Sequence, residues 1–269
     1  NEIKKRPKKN KHLLVDELRD ALNHNMHLSK MSIIIGYIDH ISSKNKCLRV
    51  LDYGSGGGRL MAYLYLLGYT NIYGVDIYSQ KNVDELNILF DELSMEDVVF
   101  HTYDTITLPF KDEQFDLIVS QQVVEHVTNI SQYISECYRV LSINGRVLVD
   151  FPHRLVPFDT HTRMWIIHYF PTFIRKAVYN KYRNGQYEYY SKLLHFKTPF
   201  YYRFLFGRVF KSVEDLTSDR MSSFRYKEHY EGNIKIRSLI DNLLHLPILG
   251  KFFLKVLSIF VNKTMVLYK

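Results

Sequence analysis

The stretch "LDYGSGGGRL", residues 51–60, holds four of the 12 glycines of this 269-residue chain. Glycine loses more backbone freedom on folding than any other residue, so such a cluster marks a sharp turn or a close approach of the backbone. The apolar run before it predicts a strand, and the apolar spacing after it predicts a helix. In a doubly wound sheet, a nucleotide-like ligand binds at a turn of this kind.

Strand and helix patterns alternate at short range from this turn to about residue 152. This alternation predicts parallel βαβ units and a doubly wound α/β sheet. Strands are predicted at 47–54, 71–77, 98–104, 115–121, 145–152 and 264–269, and helices at 12–42, 59–68, 83–94 and 130–142. Residues 201–217 predict a helix, a turn at Gly207 and a further strand.

The charge is unevenly distributed along the chain. Residues 1–11 carry six Lys/Arg and one Glu, residues 12–150 carry ten basic and 19 acidic residues, and residues 151–269 carry 20 basic and eight acidic residues. The last segment also holds 25 of the 39 aromatic residues. We therefore predict four parts: a basic tail (1–11), a ligand-binding α/β core with N-terminal helices (12–152), an inserted cap (153–200) and a completion of the core (201–269), with an apolar helical segment at about 236–261.

Two acidic residues follow predicted strands beyond the glycine turn. Asp76 ends the second strand in "YGVDIYS", 24 residues after Asp52. A carboxylate at that place hydrogen-bonds the hydroxyls of a ribose. Asp104 ends the third strand, where it can accept a hydrogen bond from an adenine amino group.

The ordered set "LDYGSGGGRL", "GVDI", "LPFKDEQFDLIVSQQVVEHV" and "YRVLSINGRVLVDFP" resembles the class I S-adenosylmethionine (SAM)-dependent methyltransferases of the small-molecule branch, over about residues 45–152. The resemblance implies a seven-stranded, mostly parallel Rossmann-like sheet with an inserted helical cap, and SAM as cofactor. It assigns the methionine part of SAM to Asp52, Gly54, Gly56 and Gly58, the ribose to Asp76, the adenine to Ile77, Asp104 and Thr105, and the floor of the cofactor site to Gln121. The G-x-G-x-G spacing departs from the G-x-G-x-x-G of dinucleotide sites, which disfavours NAD.

Some classes of methyl acceptor need residues that this chain lacks. The segment after the fourth strand reads "SQQVV" rather than the Asn/Asp-Pro-Pro-aromatic stretch typical of enzymes that methylate exocyclic base amines. Cys47 precedes the first strand and Cys137 lies in a predicted helix, so neither serves as the nucleophile for carbon 5 of cytosine. We therefore expect no DNA partner.

The segment "QQVVEHV" is similar to the E-x-x-E-H segment that binds a divalent metal in ubiquinone-pathway and small-RNA 2′-O-methyltransferases. A helix here puts Gln122, Glu125 and His126 on one face, and His153 or His161 could supply a later histidine. Gln122 stands where the first acid is expected, and an amide is a poor substitute for a carboxylate on a hard cation. The prediction is therefore no metal site.

Residues 151–171, "FPHRLVPFDTHTRMWIIHYFP", are similar to segments in methyltransferases of bacterial surface-polysaccharide gene clusters. They supply a general base (His161), an acid that orients it (Asp159), and substrate-binding candidates in His153, Arg154 and Arg163. His126 is a second catalytic candidate. An imidazole suits the role of base because it titrates near neutrality. The alternative is a loop whose His and Arg side chains only cap helices.

The leading functional prediction is O-methylation of a sugar or glycan precursor, which can carry phosphate. The alternatives are a small-metabolite (quinone or phenol) O-methyltransferase, an RNA 2′-O-methyltransferase, which we disfavour, and a non-catalytic SAM-binding subunit. Two unpaired cysteines and the lack of a signal peptide predict a cytoplasmic protein. The basic apolar stretch 243–261 adds a peripheral membrane contact as an alternative. The sequence defines neither the acceptor nor the oligomeric state.

Overall fold

The structure is a computed structural model that describes residues 32–77, 79–95, 97–104, 106–222 and 249–269. The predicted basic tail, the helical pattern over 12–31, Thr105 and the first part of the apolar segment at 236–261 lie outside these residues. The chain divides into two compact units, residues 1–105 and 106–269.

The first unit alternates helices and strands in the predicted order. Its elements are α1 (Ser32–Ile41), β1 (Arg49–Tyr53), α2 (Arg59–Leu66), β2 (Asn71–Asp76), α3 (Gln80–Glu92) and β3 (Val98–Thr102). Strand β2 pairs in parallel with both β1 and β3. The carboxyl ends of three parallel strands therefore share one edge, at Tyr53, Asp76 and Thr102.

The second unit contains the remaining strands and the helices of the basic half. Its elements are β4 (Phe115–Gln121), α4 (Ile130–Val140), β5 (Leu141–Phe151), β6 (Phe158–Asp159), β7 (Met164–Trp165), α5 (Thr172–Tyr182), α6 (Tyr187–Leu193), α7 (Pro199–Gly207), β8 (Ser212–Asp215), α8 (Thr217–Ser222), α9 (Leu249–Leu257) and β9 (Lys263–Tyr268). Strand β4 pairs in parallel with β5, whereas β9 runs antiparallel to both β5 and β8.

Seven strands form one sheet in the order β3-β2-β1-β4-β5-β9-β8. The sheet is mostly parallel and flanked by helices, which confirms the predicted fold class. Central strands of such a sheet are covered on both faces and read as continuous apolar runs. Ile118, Val119 and Leu148 fit this rule because all three are completely buried.

Several predicted boundaries need correction. The helix predicted over 130–142 ends at Val140, and residue 141 already starts β5. No strand was predicted between residues 153 and 200, but β6 and β7 pair there as a two-stranded antiparallel hairpin. Two-residue strands are too short to show an apolar alternation, so sequence patterns miss them. The helix, turn and strand predicted at 201–217 are confirmed by α7 and β8.

We expect Gly58→Ala to destabilise the first unit for a steric reason as well as a backbone reason. Gly58 has a φ of +76°, and a Cβ atom added there would lie 2.4 Å from Phe100 Cζ and 2.8 Å from Phe90 Cζ. The left-handed backbone costs a residue with a Cβ atom about 1–2 kcal/mol, and overpacking adds about 1–3 kcal/mol. Urea denaturation measures the loss.

Gly68→Ala is the matched control, because Gly68 has a φ of +87° and nothing within 4 Å of an added Cβ atom. Its loss should be limited to the backbone term of about 1–2 kcal/mol. Equal losses in the two variants would show that the contact with Phe90 and Phe100 carries no penalty.

Candidate active site

The glycine-rich turn of the first unit is bent by left-handed residues. Gly54, Gly56 and Gly58 have φ values of +86°, +53° and +76°. The backbone N–H groups of Gly54 and Ser55 both donate to the carbonyl oxygen of Val75, over 2.8 and 3.2 Å. The turn is thereby attached to β2, and its glycines occupy a conformation that other residues adopt only with strain.

Asp76 ties the same turn to the end of β2. Its Oδ2 accepts a 2.9 Å hydrogen bond from the N–H of Gly56, and its Oδ1 accepts a 2.7 Å bond from the N–H of Ile77. A carboxylate has about four acceptor sites, so these two bonds leave capacity for the hydroxyls of a ligand. Ile77 beside it is 63% exposed, an apolar side chain placed where an adenine could cover it.

Asp52 lies beneath the turn and is 4% exposed. Burial, together with the charge of Asp76, raises the pKa of Asp52 to about 7. The carboxyl group is therefore close to the balance between its neutral and ionised forms at neutral pH, and a cationic ligand group beside it would favour the ionised form. The hydroxyl of Ser55, also buried, has no hydrogen-bond partner within the described residues. Ser55 is a candidate that the sequence reasoning missed, although it stands inside the glycine motif.

The remaining predicted cofactor residues are distributed over both units. Asp104 is exposed in the first unit, just after β3. Gln121 ends β4 in the second unit and is half-buried. Thr105 lies outside the described residues, so its predicted role rests on the resemblance alone.

We expect Asp76→Ala to weaken SAM binding by about tenfold to a hundredfold, the range for lost hydrogen bonds to a charged group. Isothermal titration calorimetry measures the affinity. Asp84→Ala removes an exposed carboxylate of α3 that accepts a bond from Gln80, so it should leave the affinity unchanged. An Asp76→Ala protein with a native circular dichroism spectrum and unaltered SAM affinity would contradict the ribose assignment.

In the second unit, the segment after β4 does not form the predicted helix. Gln122 has a φ of +55°, and only Val124–His126 form a short 3-10 helix. Gln122 N–H donates to the carbonyl oxygen of Asp150 over 2.8 Å, and its Nε2 donates to Asp150 Oδ2 over 3.2 Å. The prediction that Gln122 shares one helix face with Glu125 and His126 is therefore wrong, because these bonds tie Gln122 to the end of β5.

Glu125 is completely buried, and neither of its carboxylate oxygens has a hydrogen-bond partner within the described residues. Burial raises the pKa of Glu125 to about 8, with smaller contributions from the charges of Asp150 and Asp159. His126 places its Nε2 4.0 Å from Glu125 Oε1. A buried carboxyl group without partners is costly, which makes Glu125 a functional candidate.

Asp159 organises the loop that carries His161. The Asp159 Oδ1 atom accepts from the N–H of His161 over 2.9 Å and lies 3.2 Å from its Nδ1. Its Oδ2 atom accepts from Thr162 Oγ1 over 2.6 Å and lies 2.9 Å from His168 Nε2. Burial by itself would raise the pKa of Asp159, but the hydrogen bonds from His161, His168 and Thr162 outweigh it and hold the pKa well below its usual range.

Three of these side chains meet. One potential ligand atom from each of Glu125, His126 and His161 lies within 4.8 Å of the others, and the two imidazole rings are 5.1 Å apart. His126 Nδ1 lies 2.9 Å from the carbonyl oxygen of Leu193, and a carbonyl can only accept. His161 Nδ1 faces the ionised Asp159 in the same way. Both rings therefore carry a proton on Nδ1, and Nε2 is the nitrogen that can accept a proton or bind a cation when the ring is neutral.

We define Glu125, His126 and His161 as the carboxylate-histidine cluster. Its donor set fits a divalent cation, because one carboxylate and two imidazoles oriented through Nδ1 are usual ligands. The prediction of no metal rested on Gln122 as a ligand. The side chain of Gln122 is engaged by Asp150, so the first acid of the expected set is still missing, and three candidate ligands remain, with His161 as the later histidine. The prediction of no metal stays a prediction.

The predicted substrate residues take different positions. Both ring nitrogens of His153 are engaged by the backbone, Nε2 with the carbonyl of Val261 over 2.8 Å and Nδ1 with the N–H of Leu155 over 3.2 Å. Burial lowers the pKa of His153 to about 4. His153 is thus a buried structural residue apart from the cluster. Arg154 donates through Nε to the carbonyl of His168 over 3.1 Å, and Arg163 is exposed with a φ of +54°.

The comparisons with known proteins agree with this fold. Residues 51–149 match the family described as a methyltransferase domain. The ubiquinone biosynthesis O-methyltransferase of Bartonella tribocorum is 33% identical over 104 residues, which are 38% of this chain and 40% of the relative. A probable chloroplastic tocopherol O-methyltransferase of Oryza sativa subsp. japonica is 32% identical over 108 residues, covering 40% of this chain and 30% of that protein. The chain thus spans about two fifths or less of these relatives.

Solved structures show the same fold at low sequence identity. The geranyl diphosphate C-methyltransferase of Streptomyces coelicolor, crystallised with Mg²⁺, geranyl diphosphate and S-adenosyl-L-homocysteine, aligns over 97% of this chain and 83% of its own, with a TM-score of 0.54 and 15% identity. The YcgJ protein of Bacillus subtilis aligns over 87% of this chain and 97% of its own, with a TM-score of 0.51 and 17% identity. These alignments show the fold alone, and the family match assigns a SAM-dependent methyltransferase domain, with S-adenosyl-L-methionine as cofactor, to residues 51–149. Within the described ranges, no helix combines the length and apolar character needed to cross a membrane.

We expect Glu125→Gln to stabilise the protein progressively as the pH rises from 5 to 8.5, with EDTA present throughout. The raised pKa means that the folded state holds a proton on Glu125 that the unfolded state releases above about pH 4.5. The stability of the wild type therefore falls as the pH rises through 8, and the amide removes this loss. The rise of the pKa from 4.5 to about 8 corresponds to about 5 kcal/mol at pH 8.5. Thermal melting should therefore show a gain of roughly 10 °C or more at pH 8.5 and little change at pH 5.

Glu136→Gln is the matched control with the opposite sign. Glu136 is 6% exposed, and its Oε2 lies 2.7 Å from Arg139 Nη2. The hydrogen bonds of Arg139 lower the pKa of Glu136, so Glu136→Gln should destabilise the protein at neutral pH. A Glu125→Gln variant whose melting temperature falls in parallel with that of Glu136→Gln would refute a neutral, unpartnered Glu125.

Proposed function

We propose that the protein transfers the methyl group of SAM to a hydroxyl oxygen of its acceptor, with His161 as general base. The observation that carries this proposal is the pair formed by the buried Asp159 and His161 Nδ1, 3.2 Å apart. A base whose second nitrogen is held by a carboxylate keeps the tautomer that can accept a proton at Nε2. The local matches to ubiquinone and tocopherol O-methyltransferases support oxygen as the accepting atom.

The reaction is an in-line displacement at the methyl carbon. The acceptor oxygen forms a bond to that carbon while the carbon–sulfur bond of the sulfonium breaks, and the hydroxyl proton passes to His161 Nε2. The products are a methyl ether and S-adenosyl-L-homocysteine. The negative charge of Asp159 stabilises the imidazolium that forms, because its depressed pKa keeps the carboxylate ionised throughout the neutral range.

In this proposal His126 lines the reacting site, and the completely buried Glu125 lies beside it. Glu125 is neutral at pH 7 because burial raises its pKa to about 8, and its Oε1 atom lies 4.0 Å from His126 Nε2. The His126 ring, held by the bond from Nδ1 to the carbonyl oxygen of Leu193, can orient the acceptor hydroxyl toward the base.

The same three residues would hold a divalent cation if one is bound. A cation there would supply Lewis acidity that lowers the pKa of the acceptor hydroxyl. His161 Nε2 cannot serve as ligand and as base at once, so chelation with EDTA separates the two arrangements. The sequence-based prediction is turnover that survives EDTA. If EDTA abolishes turnover and Mg²⁺ or Mn²⁺ restores it, the carboxylate-histidine cluster binds a cation and His161 is a ligand rather than the base.

We propose a sugar or glycan precursor as the acceptor, in keeping with the similarity of residues 151–171 to methyltransferases of surface-polysaccharide gene clusters. The second candidate, a quinone or phenol, is favoured by what the local relatives are named for. A panel of nucleotide sugars, sugar phosphates and catechols, assayed by S-adenosyl-L-homocysteine release, distinguishes the two. If none of these acceptors, and no RNA substrate, leads to release of S-adenosyl-L-homocysteine, the remaining alternative is a non-catalytic SAM-binding subunit.

We expect His161→Ala to lower kcat by about 10²–10⁴-fold with SAM affinity unchanged, because a general base contributes a factor of this size. Steady-state kinetics and calorimetry measure the two quantities. His161→Gln should not restore the rate, since an amide takes up no proton at neutral pH. His40→Ala, at an exposed histidine of α1, is the control. A His161→Ala enzyme retaining more than about a third of the wild-type kcat removes His161 from the role of base.

A further inference from the structure

A cavity of about 280 Å³ opens in the second unit between α5, α6 and the segment that follows α6. Binding pockets for whole small molecules usually measure about 300–1,000 Å³, so this cavity suits one polar group of a larger ligand. Its lining includes Arg154, Arg175, His195 and Lys197, together with Tyr187 and Tyr190.

The cations of this cavity have few partners. Arg175 Nε is buried without a hydrogen-bond partner in the part of the chain that the structure describes, while Arg175 Nη2 donates to Thr172 Oγ1 over 3.2 Å. The guanidinium lies 5.9 Å from the ring centroid of Tyr187. Arg154 uses its Nε on the carbonyl of His168, and no hydrogen bond or ion pair engages Lys197 Nζ within the described residues. A buried N–H donor without an acceptor is rare in native proteins, so Arg175 indicates a missing acceptor.

Among the described residues, no aspartate or glutamate lines the cavity. The acids around it are engaged elsewhere. Asp159 lies behind His168 and accepts from His161, His168 and Thr162. On the outer surface of α6, Glu188 pairs with Lys176 over 3.7 Å. The field inside the cavity therefore favours an anion.

Residues that line the cavity contact the carboxylate-histidine cluster. His195 N–H donates to the carbonyl of Glu125 over 2.7 Å. His126 Nδ1 bonds Leu193, which precedes the lining residue Leu194. The ring of Phe196, also in the lining, lies 6.2 Å from the ring of His161. The segment that follows α6 therefore lines the cavity and also contacts the proposed reacting groups, through two hydrogen bonds and one ring contact.

We propose that this cavity binds a phosphate group carried by the methyl acceptor, through Arg175, Arg154 and Lys197, while Tyr190 packs against the sugar next to it. The inference deepens the proposed function and rests on it. A guanidinium matches phosphate with paired N–H donors, and an ammonium adds a point charge. A tyrosine ring offers a flat apolar face with little conformational entropy to lose. Neither Arg175 nor Lys197 was identified from the sequence.

Calorimetry of the 269-residue chain with inorganic pyrophosphate at about 0.15 M NaCl tests the phosphate site. Arg175→Gln should raise the Kd by about tenfold or more, because it removes a charged hydrogen bond. Lys197→Gln should raise it by a smaller factor. Lys192→Gln is the matched control, since Lys192 is an exposed cation of α6 that does not line the cavity. Its Kd should stay within a factor of about two of the wild type.

Two results overturn the proposal. One is pyrophosphate affinity unchanged by Arg175→Gln and Lys197→Gln. The other is an equal loss in Lys192→Gln, which would mean unspecific attraction to a basic surface. If Arg175→Gln fails to fold, Arg175→Lys and the exposed Lys197→Gln carry the test.

Glucose 1-phosphate tests the sugar contact. It should bind more tightly than inorganic phosphate, and Tyr190→Leu should reduce that advantage while leaving pyrophosphate binding intact. Equal affinities of phosphate and glucose 1-phosphate remove the sugar from the proposal. Pyrophosphate binding requires neither SAM nor methyl transfer, so the phosphate site can be confirmed even if the protein shows no methyltransferase activity. If the protein methylates a phosphorylated acceptor and the KM for that acceptor is unchanged in Arg175→Gln, the cavity does not bind the phosphate. The proposed methyl transfer would still stand.

Discussion

One buried carboxylate, Asp159, holds together the part of the second unit on which the chemistry depends. It accepts from the backbone and ring of His161, the hydroxyl of Thr162 and the ring of His168. Four acceptor contacts on one carboxylate close the turn between β6 and β7 and aim the His161 ring at Glu125 and His126. The same carboxylate also accepts a hydrogen bond from His168, which lines the cavity around Arg175 and Lys197. A change in its charge would therefore disturb the cluster and the cavity together.

The two buried carboxyl groups of this region illustrate how environment separates chemically similar side chains. Asp159 is surrounded by donors, and its pKa is depressed. No other side chain among the described residues donates to the oxygens of Glu125, and burial raises its pKa to about 8. At neutral pH one group is ionised and the other neutral. Pairs of groups whose pKa values are pushed apart in this way are typical of acid–base sites.

The end of β5 shows a third arrangement. Asp150 is 9% exposed and accepts from Arg220 Nη1 and Thr264 Oγ1, each over 2.7 Å. Its other oxygen and its carbonyl receive the side chain and backbone of Gln122. Because these bonds fix Gln122 against β5, the chain can turn into the short 3-10 helix that delivers Glu125 and His126. The paired carboxylate of Asp150 stabilises a turn, whereas the neutral carboxyl group of Glu125 is buried without a hydrogen-bond partner among the described residues, which costs stability.

The amino-acid sequence by itself determined the alternation of strands and helices, the glycine turn at residues 54–58 and the acid at Asp76. These features follow from periodicity and turn chemistry within about ten residues, so they are legible locally. The pairing of Asp159 with His161 was also predictable, because the two residues are neighbours in one turn. Only the tertiary structure decided that Glu125, His126 and His161 meet, that Gln122 does not join them, and that His153 is a buried structural residue. The partners that decide these outcomes, such as Leu193, Val261 and Asp150, lie about 30 to 110 residues away along the chain. No local sequence pattern encodes such contacts. The cavity around Arg175 and Lys197 could not be predicted for the same reason, because it forms between α5, α6 and the segment that follows α6.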